Sequence, residues 1–133
     1  MRKALAGTGL VVVASLALVA CSNKLTGELD VKGEKFVPES CRSGQALGFS
    51  GVELTAKDGR RIRIAQSAAG DGLAIFFPAG ETKGVELGKC GAFSIEKQSS
   101  RINDVYNVKG SATMECEAEG VAIKGAITFE NCH

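Results

Sequence analysis

The sequence predicts an all-β protein: a small disulfide-bonded antiparallel β-sandwich or barrel of about eight strands, after a cleaved helical signal peptide. Three observations predict it. Beyond residue 20 apolar side chains alternate with polar neighbours at a period of two, and no window carries the i, i+3, i+4, i+7 stripe of an amphipathic helix. Of the 17 glycines, all but Gly7 and Gly9 lie in that region, many between alternating runs where turns belong. Cys41, Cys90, Cys116 and Cys132 form an even set in a short chain with an export signal, the pattern of two disulfides.

The export signal is the first element. Met1-Arg2-Lys3 is a short basic region, and no charge follows until after Ala20. The apolar run from Gly9 to Ala20 has the length of a signal-peptide hydrophobic region and falls short of the ~20 apolar residues of a spanning helix. Leu18-Val19-Ala20-Cys21 then resembles the lipobox of bacterial lipoproteins: an aliphatic residue, a β-branched one, a small one and a Cys. That resemblance implies cleavage before Cys21 and transfer of a diacylglycerol to its thiol, and it covers residues 1–21 only. Two or more acyl chains at ~0.8 kcal/mol per buried methylene hold a protein durably on a membrane. Ser22 follows the Cys in place of the Asp that resembles an inner-membrane retention signal, so a diderm source implies the outer membrane. The expected organisation is a signal peptide (1–20), a lipidated Cys with a short tether (21–27), and one β-domain (28–133).

The strands follow in order. Leu29–Val37 and Leu47–Ala56 are the first two, with Gly48-Phe49-Ser50-Gly51 read as a bulge or tight bend. Lys57-Asp58-Gly59 is the clearest turn. A two-residue Asp58-Gly59 loop would set Glu53 against Ile64 and mix the faces. A three-residue loop pairs Leu54 with Ile62 and Val52 with Ile64, keeping the aliphatic pairs together and leaving Gly59 for a left-handed position. Register selects the longer loop. Arg61–Ser67, Leu73–Phe77 and Val85–Leu87 come next, joined by turns around Ala69-Gly70-Asp71-Gly72 and Pro78-Ala79-Gly80, and Phe93 and Ile95 mark another strand. Ala74-Ile75-Phe76-Phe77-Pro78 is apolar on both faces, which suits a strand covered on both sides, or else an edge strand offering Phe76 or Phe77 to a ligand. Two long runs close the chain. Even-numbered Tyr106 to Cys116 and odd-numbered Val121 to Phe129 meet across a turn in Glu117-Ala118-Glu119-Gly120, through a two-residue loop at either Ala118-Glu119 or Glu119-Gly120.

That hairpin constrains the disulfides. Cys116 lies beside its turn and Cys132 about eleven residues along the last strand, roughly 36 Å away at ~3.3 Å per residue. Bridged Cα atoms lie within ~7 Å, so Cys116–Cys132 is excluded. Cys41–Cys132 with Cys90–Cys116 is the preferred pairing, because Cys90 and Cys116 can flank a hairpin turning at Ser99-Ser100-Arg101. Cys90 is out of phase with Phe93, so that pairing requires a bulge near Gly91.

The mature chain carries 14 basic and 15 acidic residues, interspersed in ones and twos. It has no basic excess for nucleic acid and no acidic tail. A metal site would need close ligand pairs, which the widely spaced cysteines and the single His133 do not offer, and no P-loop or dinucleotide fingerprint is present. No metal or cofactor is expected. His133 is the last residue and a poor general base. Glu53, Glu96, Glu115 and Glu130 fall on the polar parity of their strands, which predicts exposure rather than a carboxylate pair with a raised pKa. The candidate binding residues are Arg60, Arg61 and Arg63: Arg61 and Arg63 share a polar face, positioned to grip an anionic partner or to pair with Glu53 across the hairpin. The expectation is a non-enzymatic cell-envelope lipoprotein, lipid-anchored to the membrane, that serves as a binding or structural module for an envelope protein or ligand. An inhibitor of an envelope-attacking lysozyme or protease is the second reading, and a carboxylate-dependent hydrolase the third.

Overall fold

The computed structural model describes residues 22–133. The expected signal peptide, the Leu18-Val19-Ala20 run that resembles a lipobox and the expected lipidation residue Cys21 lie outside the described residues. Within them ten strands run in order: β1 (Lys24–Val31), β2 (Glu34–Phe36), β3 (Pro38–Ser43), β4 (Gly51–Ala56), β5 (Arg61–Gln66), β6 (Gly72–Phe77), β7 (Val85–Lys89), β8 (Ala92–Ile102), β9 (Val105–Ala118) and β10 (Val121–Cys132). They form two antiparallel five-stranded sheets. The terminal sheet has the order β2-β1-β10-β9-β8 and the central sheet β3-β4-β5-β6-β7.

The hairpins follow from turn chemistry. Between β4 and β5, Val52 faces Ile64 and Leu54 faces Ile62 across the expected three-residue loop, with Gly59 at φ 93°. The last hairpin turns at Glu119-Gly120, both left-handed, and pairs Ala118 with Val121. Primed turns of this kind match the twist of the strands they join.

Four expectations need correction, each for a local reason. The run Leu29–Val37 is not one strand, because Lys32-Gly33 takes φ 57° and 82° and folds β2 back on β1. With Pro38–Ser43 as a further strand, the count rises from eight to ten. Leu47–Ala56 begins later than expected: Gly44–Leu47 is a 3₁₀ turn, capped by the Ser43 hydroxyl at its start and by left-handed Gly48 at its end. The β8–β9 hairpin turns at Asn103-Asp104, both with positive φ, while Ser99-Ser100-Arg101 continues in β8 beside a register shift. Finally, Lys24 to Gly27 are not a tether. They pair with Glu130 to Ile127 as the start of β1, so the folded domain begins at Lys24, three residues after Cys21.

Two corners carry the chain between sheets. Val37 separates β2 in the terminal sheet from β3 in the central one, and Gly91 separates β7 from β8. Gly91 has φ 90°, and a Cβ there would fall 2.1 Å from the Thr113 carbonyl oxygen. The phase change between Cys90 and Phe93 is thus a change of sheet at a glycine. The ends of the central strands lie along β9: Cys41 bonds Cys132, which is opposite Val108; a Cβ at Gly72 would meet Phe93, opposite Ala112; and Cys90 bonds Cys116. The two sheets therefore cross steeply, the arrangement in which strands switch sheets at corners.

Both bridges, Cys41–Cys132 and Cys90–Cys116, have the preferred pairing, and each joins one sheet to the other. Between the sheets lie Leu29, Phe36, Val52, Leu54, Ile62, Ile64, Ala74, Phe76, Met114, Ile123, Ile127 and Phe129, all buried. Burying each larger side chain contributes about 1.5–3 kcal/mol.

Candidate functional site

The outer face of the central sheet is the part of the surface with the most organised chemistry. Strand register places Arg42 on β3, Glu53 on β4, Arg63 on β5, Ile75 on β6 and Glu86 on β7 in one row across the sheet. The adjacent row is Thr55, Arg61 and Phe77. Because successive side chains alternate faces, these residues point away from the core filled by their neighbours Val52, Leu54, Ile62, Ile64 and Phe76.

Glu53 stands at the centre of this face and is only 5% exposed, which corrects the expectation of an exposed carboxylate. Arg63 donates from Nε to its Oε2 at 2.7 Å, and Arg61 donates from Nη1 to the same oxygen at 3.3 Å. Arg61 also donates from Nη2 to the Glu81 carbonyl at 3.0 Å, which ties the face to the β6–β7 loop. Both guanidinium groups lie over Phe77, at 4.3 Å for Arg61 and 5.1 Å for Arg63, and Arg63 also lies 5.5 Å from the Phe49 ring. Phe77 is consequently buried although it faces outward, sealed by the planar cations above it. Each such cation–π contact contributes about 0.5–1 kcal/mol at a partly exposed site. Phe76, its neighbour, points into the core. The two-faced apolar strand is thus covered on one side by the protein interior and on the other by arginine.

The electrostatic balance of the face is positive. Glu53 answers two guanidinium groups, exposed Arg42 lies directly across the ladder from it, and exposed Glu86 ends the row, so three arginines stand against two carboxylates. Arg63 uses Nε for Glu53; among the described residues its two terminal nitrogens have no hydrogen-bond partner and Arg42 forms no ion pair. Such forks are rigid donors for carboxylate or phosphate oxygens. Beside the face Phe49 borders a cleft of about 140 Å³ between the sheets, with Gln45, Ser50, Ile95, Lys97 and Val108 as other walls.

Arg60, expected with this group, is placed elsewhere. Its backbone N–H donates to Asp58 Oδ1 at 3.0 Å, its Nε donates to Asp58 Oδ2 at 2.7 Å, and Nη2 donates to the Lys35 carbonyl at 2.7 Å. Its guanidinium also lies over Phe36. It fastens the β4–β5 turn to β2 and has little left for a partner. The backbone bond from Arg60, reinforced by its side chain, holds the Asp58 carboxyl below its ordinary pKa of 3.8. The other acidic residues of polar parity behave differently from Glu53: Glu96 and Glu115 are exposed and Glu130 half-buried. His133 is half-buried, with Nε2 3.1 Å from the Ile102 carbonyl.

Sequence reasoning found Arg61, Arg63, their pairing with Glu53 and a β6 run apolar on both faces, and missed Arg42 and Phe49. Comparison of the chain with protein-family models, with curated proteins and with solved structures gives no match to any of them, so its functional reading rests on its own residues.

Proposed function

We propose that the chain is a lipid-anchored lipoprotein of the bacterial cell envelope, and that its β-domain is a binding module for an acidic segment of an envelope partner. The address is supported by the run Leu18-Val19-Ala20-Cys21. The binding role is supported chiefly by one observation: two guanidinium groups share a single oxygen of buried Glu53. They are held in place over Phe77, and their surplus positive charge faces outward beside Arg42. A preordered cationic surface loses little side-chain entropy when an acidic partner docks, and its charge speeds encounter. The carboxylate is occupied by its arginines, which suits a structural role in the face better than general acid chemistry.

Two measurements test this reading. Cys21→Ser is expected to abolish lipid labelling and release the protein from the membrane fraction, or to stall its processing; unchanged partition and processing would refute the address. Binding of a fluorescent polyglutamate peptide, followed by anisotropy, is expected to weaken about tenfold in Arg42→Glu, a loss of ~1.4 kcal/mol, and to weaken further with added salt. Arg42 is exposed and outside the Glu53 network, so the fold is expected to survive the change. Equal binding by wild type and Arg42→Glu would refute the binding face. A partner from detergent-solubilised envelope that proved to be a lysozyme or protease, and was inhibited on binding, would make the module an inhibitor.

A further inference from the structure

We infer that the β8–β9 hairpin tip is a membrane-contact element that rests in the lipid headgroup layer beside the anchor; the inference depends on the lipid-anchored reading above. Its basis is where the fold begins. Asn23 Nδ2 donates to the Asn131 carbonyl at 2.8 Å, the Cys41 N–H donates to Asn23 Oδ1 at 3.0 Å, and Asn131 Nδ2 donates to the Ser22 carbonyl at 3.3 Å. The residue next to Cys21 is therefore stitched to the end of β10, and no slack chain separates the acylated position from the domain.

Strand register then sets the height of everything nearby. Lys24 pairs with Glu130, and Cys132 pairs with Val108 on β9, so Ser22 lies roughly level with Val108. From Val108 the β8–β9 hairpin continues to its turn at Asn103-Asp104. Four further residues at ~3.3 Å each carry the tip about 13 Å past the level of Ser22. The headgroup layer on one side of a bilayer is roughly 5–8 Å deep. A domain held at the surface by Cys21 cannot stand upright without this tip entering that layer.

The tip has the composition for such a place. Ile102 is 53% exposed, one of two large apolar side chains so exposed among the described residues. Lys97 and Arg101 lie over the Tyr106 ring, at 5.5 and 5.7 Å, and Asp104 is the acidic residue at the turn. Tyrosine beside lysine and arginine is the usual company of a membrane interface, where the ring meets the apolar boundary and the cations reach phosphate. The hairpin is also braced against folding away. Gln98 exchanges two hydrogen bonds with Asn131, at 2.9 and 3.1 Å. Gln45 donates to the Asp104 carbonyl and accepts from the Tyr106 N–H, and the His133 ring meets the Ile102 carbonyl. Asn131 thus joins the residue beside the anchor and the hairpin base in one rigid unit.

The chain contains no tryptophan, which gives a clean test. The full lipidated protein is reconstituted into phosphatidylcholine–phosphatidylglycerol vesicles whose acyl chains carry bromine near the carbonyls. Ile102→Trp is compared with Glu117→Trp, an exposed position on β9 about 40 Å away along the strand at ~3.3 Å per residue. Ile102→Trp is expected to emit at shorter wavelength and to be quenched at least twofold more strongly by the brominated lipid. Equal quenching in protein that floats with the vesicles would overturn the contact while leaving the anchor intact. Protein that does not float at all would overturn both.

Discussion

The two sheets have similar inner faces and very different outer ones. On the terminal sheet, Thr26, Thr128, Ser111 and Ser94 form one outward row, and Glu28, Ala126, Thr113 and Ala92 form the next; all eight are exposed. On the central sheet the corresponding rows contain a buried glutamate, a buried phenylalanine and two half-buried arginines. Apart from β6, which is apolar on both faces, both patterns read in sequence as outward residues alternating with core residues. Alternation assigns a side chain to a face; whether that face is covered depends on the reach of its own side chains. Serine, threonine and alanine cannot shelter one another, whereas arginine lays an apolar stem and a flat cation across its neighbours. The outer face of the central sheet has in effect built a thin second layer from Arg61, Arg63, Phe49 and Phe77.

The largest expected effect comes from releasing the sheets from one another. Both disulfides cross between sheets, but Cys41–Cys132 spans 91 residues of sequence and Cys90–Cys116 spans 26. Loop-closure entropy then assigns about 4.6 kcal/mol to the first and about 3.5 kcal/mol to the second. Replacing Cys41 and Cys132 with alanine is expected to lower the urea midpoint more than replacing Cys90 and Cys116. The reverse order would mean that native contacts around the second bridge, rather than loop length, decide the difference.

The contrast between the outer faces is sharpened by two glutamates of the same strand parity. Glu53→Gln removes the charge that holds two guanidinium groups over Phe77, and a broken buried pair costs about 3–5 kcal/mol. Arg61 and Arg63 remain 26% and 30% exposed, so solvent screens part of that. The expected loss is about 2 kcal/mol in chemical denaturation. Glu115→Gln, on the exposed face of the terminal sheet, is expected to change stability by less than about 0.5 kcal/mol. Similar losses from both would show that the arginine layer covers Glu53 without depending on it.

Much of this was legible in the sequence, for identifiable reasons. The all-β class, the β4–β5 register and both disulfides followed from a period of two, a loop whose length keeps Leu54 and Ile62 on one side, and a distance that two cysteines on one hairpin cannot close. What the sequence concealed was the shape of the turns that use ordinary residues. Lys32, Asn103 and Asp104 adopt left-handed conformations without the Asn-Gly or Asp-Gly signature, so Leu29–Val37 reads as one strand and the β8–β9 hairpin reads as turning early, at Ser99-Ser100-Arg101. The polar surroundings of Lys24 to Gly27 likewise read as a tether, since an edge of the domain with one exposed face has no apolar run to announce it. Arg61 and Arg63, which hold Glu53, lie over Phe77 and Phe49, 24 and four positions from Glu53 in the chain, and no local pattern encodes that meeting.

The smallest expected effect concerns the turn that carries Arg60 away from the arginine face. Asp58 is exposed, and its carboxyl is held below the ordinary value of 3.8, first by the Arg60 backbone N–H and then by the Arg60 side chain. A carboxyl whose pKa is lower in the folded than in the unfolded chain contributes stability above the unfolded value. That contribution is lost as pH falls through the folded one. Asp58→Ala is therefore expected to be less stable than wild type at pH 6. The gap between their urea midpoints should be steady down to about pH 4 and then narrow as Asp58 of the wild type takes up its proton. A gap unchanged down to pH 2 would mean that the neutral carboxyl holds Arg60 as well as the charged one. The turn would then depend on the Asp58 acceptor geometry alone, while the charge-dependent arginines would be those of the Glu53 face.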